Sequence, residues 1–169
     1  MEEKVLLNAT LVFLVRNRGA QVLLALKTKK IGAGCWNGYG GGIELGEDPQ
    51  GSAARELQEE SGVVVLPLDL EKVAIVDFHN TKTDGTIFTC RVHVYLAHAW
   101  QDEPQETDEM AQPTWFNSSD LPLNQMMPAD RSWLPPILNG KKIRASVTYG
   151  PFQKELLGPV EVHEVPSLE

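Results

Sequence analysis

Three glutamates, Glu56, Glu59 and Glu60, crowd one short stretch of this chain a dozen residues after the glycine run Gly40, Gly41 and Gly42. Like charges at i, i+3 and i+4 on a helix repel, at roughly 0.2–0.5 kcal/mol per pair. Two readings account for such crowding. The acids can be a solvated face that tolerates the small penalty. They can also be ligands for a divalent cation, because carboxylate oxygens without thiol or imidazole are the hard donors that suit Mg²⁺ or Mn²⁺. Arg55 is the one positive charge beside them.

Those glutamates need a helix to hold them, and the sequence punctuates one. Asp48 suits the N-cap, Pro49 the first helical position and Gly62 the residue after the last turn, which predicts a helix from about Pro49 to Ser61. At roughly 100° per residue, Ala53, Ala54 and Leu57 point toward a core. The three glutamates take the other side.

The remaining elements are coarser. "ATLVFLV" (9–15) reads as a buried strand, "RNRGAQ" (16–21) as a turn and "VLLAL" (22–26) as a second strand, so the pair predicts a hairpin. "KTKKIGAGCWNGYGGG" (27–42) holds six glycines and reads as a loop with a basic start. "FTCRVHVYLAHAW" (88–100) alternates, with Phe88, Cys90, Val92, Val94 and Leu96 on one face and Thr89, Arg91, His93 and Tyr95 on the other, as in a half-buried strand. An acidic loop covers 101–112, and a proline-broken loop and short helix cover 118–138. Two alternating stretches, 142–149 and 160–165, close the chain. Trp115 and Trp133 are expected in the core. With no internal repeat and no linker, one α+β domain with a mixed sheet spanning residues 1–169 is the expected fold class.

Composition narrows the partners. A chain of 169 residues with 42% hydrophobic and 22% charged residues has the size and content of one globular domain. Its net charge of −8 argues against a nucleic-acid or membrane-surface binder, both of which want a basic field. An anionic substrate stays open if a metal reverses the local charge. The two cysteines, Cys35 and Cys90, are far apart and outside any CxxC pattern, so a cysteine-built metal site is not expected. The acidic start (Glu2, Glu3) and the short apolar stretch 9–15 are unlike a secretory signal. The expected address is the cytoplasm, with reduced thiols and no membrane anchor.

The spacing of the acidic segment weighs between the two readings. Gly41, then five residues, Glu47, then seven, then Arg55-Glu56-Leu57-x-Glu59-Glu60-x-Gly62-Val63 fills nine fixed positions across 23 residues. This resembles the signature of the Nudix hydrolases. The stretches "GAGCWNGYGGGIELGE", "ETDEM" and "MMPADRSW" extend the likeness over nearly the whole chain, toward the MutT-type branch that includes the animal oxidised-purine nucleoside triphosphatases.

The resemblance implies an α/β/α sandwich and a metal-dependent pyrophosphohydrolase that converts a nucleoside triphosphate and water to monophosphate and pyrophosphate. A purine base, oxidised purines included, is the implied preference. It implies Glu56, Glu59 and Glu60, the Gly40 carbonyl and Glu109 as ligands of Mg²⁺ (or Mn²⁺), with Arg55 and Glu47 supporting them. It implies substrate contacts from Thr10, Lys27, Asn37, Tyr39, Gly40, Gly41, Gly42, Phe78, Met127 and Asp130, with Ile31 as a further apolar wall, in a monomer. Two departures stand out: Met127 occupies a tryptophan's place, and Ala129 replaces one of two adjacent acids, leaving Asp130 alone. The same signature also serves enzymes acting on nucleotide sugars or dinucleotides. A Nudix-fold binding module without activity is a third reading, disfavoured by the intact glutamates.

Overall fold

A computed structural model describes residues 5–168; the acidic Glu2 and Glu3 lie outside the described residues. The elements run β1 (Asn8–Arg16), β2 (Gln21–Lys27), β3 (Trp36–Asn37), β4 (Tyr39–Gly42), α1 (Pro49–Ser61), β5 (Leu70–Thr81), β6 (Ile87–Ala97), β7 (Met110–Asn117), α2 (Asp130–Leu138), β8 (Ile143–Tyr149) and β9 (Glu161–Glu164).

The strands form a mixed sheet in the order β3-β2-β1-β6-β5-β8-β9, with β4 on β1 and β7 on β2. β1 runs parallel to β6 and β5 parallel to β8, while β5 and β6 are antiparallel. The other edge of β1 is divided: Ala9–Val12 pair with β4, and only Val15 and Arg16 pair with β2. The expected hairpin therefore exists at its turn and then splays. β2 leaves to join β3 and β7, which opens the sheet into two limbs.

Two cores sandwich the sheet. On one face Ala53 and Leu57 of α1 pack with Val12, Leu14, Tyr39 and Tyr95. On the other, Trp133, Leu134 and Ile137 of α2 pack with Phe13, Val94, Val147 and Tyr149. The alternation of β1 serves both, since successive strand residues point to opposite faces.

Helix α1 has the bounds its punctuation predicts. The Asp48 side chain accepts the Gly51 N–H, and Gly62 adopts the left-handed conformation (φ 78°) that a residue with a Cβ resists. Elsewhere long-range pairing overrides the local pattern. The glycine-rich stretch is loop only as far as Cys35; its end forms β3 and β4. β5, the longest strand at 12 residues, and β7 carry too little local signal to be read beforehand. β6 is half-buried only at its start, because Tyr95 lies under α1 at 1% exposure. Pro135 and Pro136 sit inside α2 without breaking it. Trp133 is core as expected, but Trp115 is half-buried, stacked on Trp100 and covered by the Arg16 guanidinium at 4.0 Å. No helix among the described residues is long and apolar enough to cross a membrane.

Candidate active site

The acidic patch of α1 is not uniform. Glu59 is largely exposed, Glu56 is half-buried and Glu60 is buried, so the expectation of one shared outer face holds only for Glu59. The cause is β4, which packs against α1. A Cβ on Gly41 would lie 2.5 Å from Glu56 Oε1, so the Glu56 carboxylate occupies the space a side chain would need. Beside it, the Gly40 N–H donates to Glu60 Oε1 at 2.8 Å. A Cβ on Gly40 would collide with the Thr10 carbonyl. The glycines are what let β4 lie this close to both α1 and β1.

Arg55 ties the patch together. Its Nε donates to Glu47 Oε2 at 2.6 Å and its Nη2 to Glu47 Oε1 at 2.9 Å, a two-pronged pair with directional strength. Its Nη1 reaches Glu56 at 3.2 Å and Glu59 at 3.1 Å, and Nη2 also meets the Gly42 carbonyl. The Arg55 bonds, with the Glu44 N–H, pull the Glu47 carboxyl down to about 2.

Glu56 and Glu60 behave oppositely. Burial raises both carboxyls above the ordinary range, and the charges of Glu109 and of Glu56 add to the effect on Glu60. Glu109 stands just before β7, where its carbonyl accepts the Thr28 N–H at 3.0 Å and its carboxylate lies 3.8 Å from Lys30. Lys27, at the end of β2, joins the group: burial lowers its ammonium from the usual lysine range, against the pull of Glu60 and Glu109. Among the described residues no three His, Cys, Asp or Glu side chains are drawn into a closed cage. The donor set is nonetheless all oxygen, partly desolvated and mutually repelling. Such a set favours a hard divalent cation, which would offset the repulsion.

Lys27 also links this cluster to a cleft on the α2 side of the sheet. A Cβ on Gly32 would meet Met127 Sδ at 3.4 Å and Lys27 Cδ at 3.6 Å, which places the three segments side by side. Cys35 lies within the electrostatic reach of both Asp130 and Lys27. Asp130 opens α2, 4% exposed, and burial raises its carboxyl to about 7. Phe78 of β5 stacks on Tyr149 of β8, ring centres 6.0 Å apart and planes 3° from parallel. The Tyr149 hydroxyl accepts the Ala129 N–H at 2.8 Å. The Asn37 side chain accepts the Gly38 N–H at 2.8 Å, so its orientation is set by its own backbone.

The expected site residues thus fall into two connected groups. Glu47, Arg55, Glu56, Glu59, Glu60, Glu109 and Gly40–Gly42 form the acidic centre; Phe78, Met127 and Asp130 belong to the cleft, and Lys27 adjoins both. Two of the expected substrate contacts, Tyr39 and Thr10, lie apart from the cleft group. Tyr39 is fully buried in the α1 core and is a packing residue, because its place opposite Val12 in the register turns its ring under the helix. Thr10 pairs with Gly41 and His93, which puts it on the α1 face beside the acidic centre and away from Phe78 and Asp130. Ile31 is exposed at 45%, so it walls nothing in by burial. Ala129 is buried in the α2 core, where no side chain extends into the cleft. Sequence reasoning missed Tyr149 and Cys35, whose only signals were their places in a strand and in a glycine loop.

A mixed sheet between two helices, with an acidic helix tied by arginine to a glycine strand, defines a metal-dependent phosphoanhydride hydrolase of the Nudix type. Residues 5–136 match the NUDIX domain, and the chain belongs to that family. It is 38% identical over 133 residues to the oxidized purine nucleoside triphosphate hydrolase of Danio rerio, covering 79% of this chain and 80% of that one. The Mus musculus protein of the same description is 38% identical over 122 residues, 72% of this chain and 74% of its own. The crystal structure of a MutT mutator protein from Bacillus halodurans superposes with a TM-score of 0.75 at 24% identity, over 93% of this chain and 97% of that one, which speaks for the fold.

Proposed function

We propose that this protein is a nucleotide-sanitising pyrophosphohydrolase, converting purine nucleoside triphosphates, oxidised ones included, to the monophosphate and pyrophosphate. The observation that carries this is the adjacency of two groups. The acidic centre of Glu56, Glu60 and Glu109 sits next to Lys27, and Lys27 lies with Met127 against Gly32, on the way to Phe78 and Asp130. A triphosphate can lie over the first while its base fills the second. The curated relatives named for oxidised purine nucleoside triphosphates support the same substrate class.

Glu56, Glu60, Glu109 and the Gly40 carbonyl, with Glu59 at the margin, would hold Mg²⁺ or Mn²⁺. When bound, the cation polarises the phosphate oxygens and stabilises the charge that develops on them. Lys27 neutralises phosphate charge. Arg55, fixed by Glu47, holds Glu56 in place. Water attacks phosphorus in line, its oxygen forming the new P–O bond as the bridging P–O bond breaks, and a carboxylate of the centre takes or orients its proton. Phe78 and Met127 pack against the base, while Asn37 and Asp130 offer hydrogen bonds to its edge. The protein acts as a cytoplasmic monomer with both cysteines free.

The test is a panel of ordinary and oxidised nucleoside triphosphates, nucleotide sugars and dinucleotides, with Mg²⁺, with Mn²⁺ and with a chelator. Pyrophosphate and monophosphate are measured separately. Cation-dependent release of pyrophosphate from purine triphosphates is expected. Turnover confined to nucleotide sugars or dinucleotides, or undiminished by chelation, would overturn the reading.

A further inference from the structure

One buried polar group in the cleft has no part in the chemistry above. Asn80 is two residues beyond Phe78 on β5 and therefore on the same face of the sheet. It is only 7% exposed. Its register partner on β8 is Tyr149, the residue that stacks on Phe78 and accepts the Ala129 N–H. Asn80 thus sits beside Phe78 and Tyr149, on the same face of the sheet as Phe78.

Asn80 is also held. Gln153 Nε2 donates to Asn80 Oδ1 at 3.0 Å, across 73 residues of sequence. With Oδ1 so engaged, Nδ2 is the end of the Asn80 amide that Gln153 leaves free to donate. The turn that brings Gln153 there is strained: Phe152 and Gln153 are consecutive non-glycine residues in the left-handed region, at φ 61° and 55°. Neither residue type favours that conformation, and such strain persists only where the surroundings hold it. Here the Gln153 N–H bonds the Gly150 carbonyl at 3.1 Å and its side chain bonds Asn80. A buried carboxamide costs free energy unless its groups find partners. Two carboxamides locked together beside Phe78 and Tyr149, one with its amino end left free by the other, make a preset hydrogen-bonding edge.

We propose that Asn80, positioned by Gln153, reads the base: its Nδ2 donates to a carbonyl oxygen on the purine, so the cleft favours an oxo-bearing edge over an amino-bearing one. Asn80 then adds a polar contact to those of Asn37 and Asp130, in a cleft to which the buried Ala129 contributes none. Gln153 touches no substrate; it acts through Asn80 by choosing which end of the amide faces the cleft. This rests on the nucleotide reading above.

Three variants test it: Asn80→Leu, Gln153→Glu and the two together. The ratio measured is guanine-type to adenine-type, both as kcat/KM for 8-oxo-dGTP and dGTP against dATP and as calorimetric Kd for the corresponding monophosphates. Asn80→Leu should lower that ratio by roughly 3- to 10-fold, the value of a neutral hydrogen bond. A glutamate at 153 accepts where glutamine donates, so it should turn the Asn80 amide around and present Oδ1 to the base. Gln153→Glu is therefore expected to move the ratio toward the amino-bearing purine, and to lose that effect in the Asn80→Leu background. A merely structural role for Gln153 would lower all nucleotides alike and leave the ratio unmoved. If the ratios stay within roughly twofold in the folded variants, Asn80 does not read the base, whatever the wild-type turnover. If the monophosphate ratios shift as stated while no triphosphate is hydrolysed, Asn80 stands and the hydrolase reading falls.

Discussion

The Glu56 carboxylate occupies the space that a side chain on Gly41 would fill, with a Cβ there falling 2.5 Å from Glu56 Oε1. A glycine in the strand thus fixes the position of a glutamate on the helix. The clash of an added methyl would be with the end of a side chain and not with backbone, so Gly41→Ala should move the carboxylate while leaving β4 paired. A displacement near 1 Å at a catalytic group can cost on the order of 100-fold in rate. Gly41→Ala is expected to lose about that much kcat with a melting temperature close to wild type. Unchanged kcat would show that the Glu56 position is not critical.

Replacing the charge without the shape isolates the same group. Glu56→Gln should lower kcat by two or more orders of magnitude, on the order of 3 kcal/mol in the barrier, with the circular dichroism spectrum intact. Glu103→Gln, on an exposed loop residue, is the control. Near-normal turnover of folded Glu56→Gln at saturating Mg²⁺ would remove Glu56 from the centre.

Asp130 predicts a pH dependence of stability. Burial raises its carboxyl from 3.8 to about 7. Between those values the folded protein keeps a proton that the unfolded chain has released, so this group's contribution to stability falls as pH rises through that window. It is fully present below the lower value and lost above the higher one, at about 1.4 kcal/mol for each pH unit between the two. Asp130→Asn removes the ionisation. Urea midpoints compared at pH 5 and pH 8 should show the variant gaining on wild type at the higher pH. A wild-type to variant difference that is flat across that range would mean Asp130 is not protonated in the fold.

The Tyr149 hydroxyl is the anchor of the loop that carries Met127 and Asp130, through its bond to the Ala129 N–H. Tyr149→Phe keeps the Phe78 stack and strands a buried backbone donor, a loss of about 1–3 kcal/mol. The expected result is a lower urea midpoint together with a raised KM for purine triphosphates and a smaller change in kcat. A stability loss with KM unmoved would separate the anchor from substrate binding.

What the sequence determined by itself is the acidic centre. Asp48, Pro49 and Gly62 punctuate α1 within a few residues of its ends, and capping is local chemistry that needs no partner from elsewhere in the chain. Glu47, Arg55, Glu56 and Glu60 follow from a spacing that a single loop and helix can satisfy. The cleft was legible only through resemblance, which named Phe78, Met127 and Asp130 but could not say which way Thr10 and Tyr39 face. That was decided by the register of β4 on β1 and of β1 on β6, since side chains alternate faces along a strand and a slip of one residue exchanges them. β3 and β4 likewise exist because β2 and β1 pair with them, although the two residues of β3 are too few to alternate and the glycines of β4 carry no alternation of their own. The Asn80–Gln153 pair and the Tyr149–Ala129 bond join segments brought together by β5 and β8 lying in parallel. No local pattern encodes such contacts; they form only when the whole sheet has assembled.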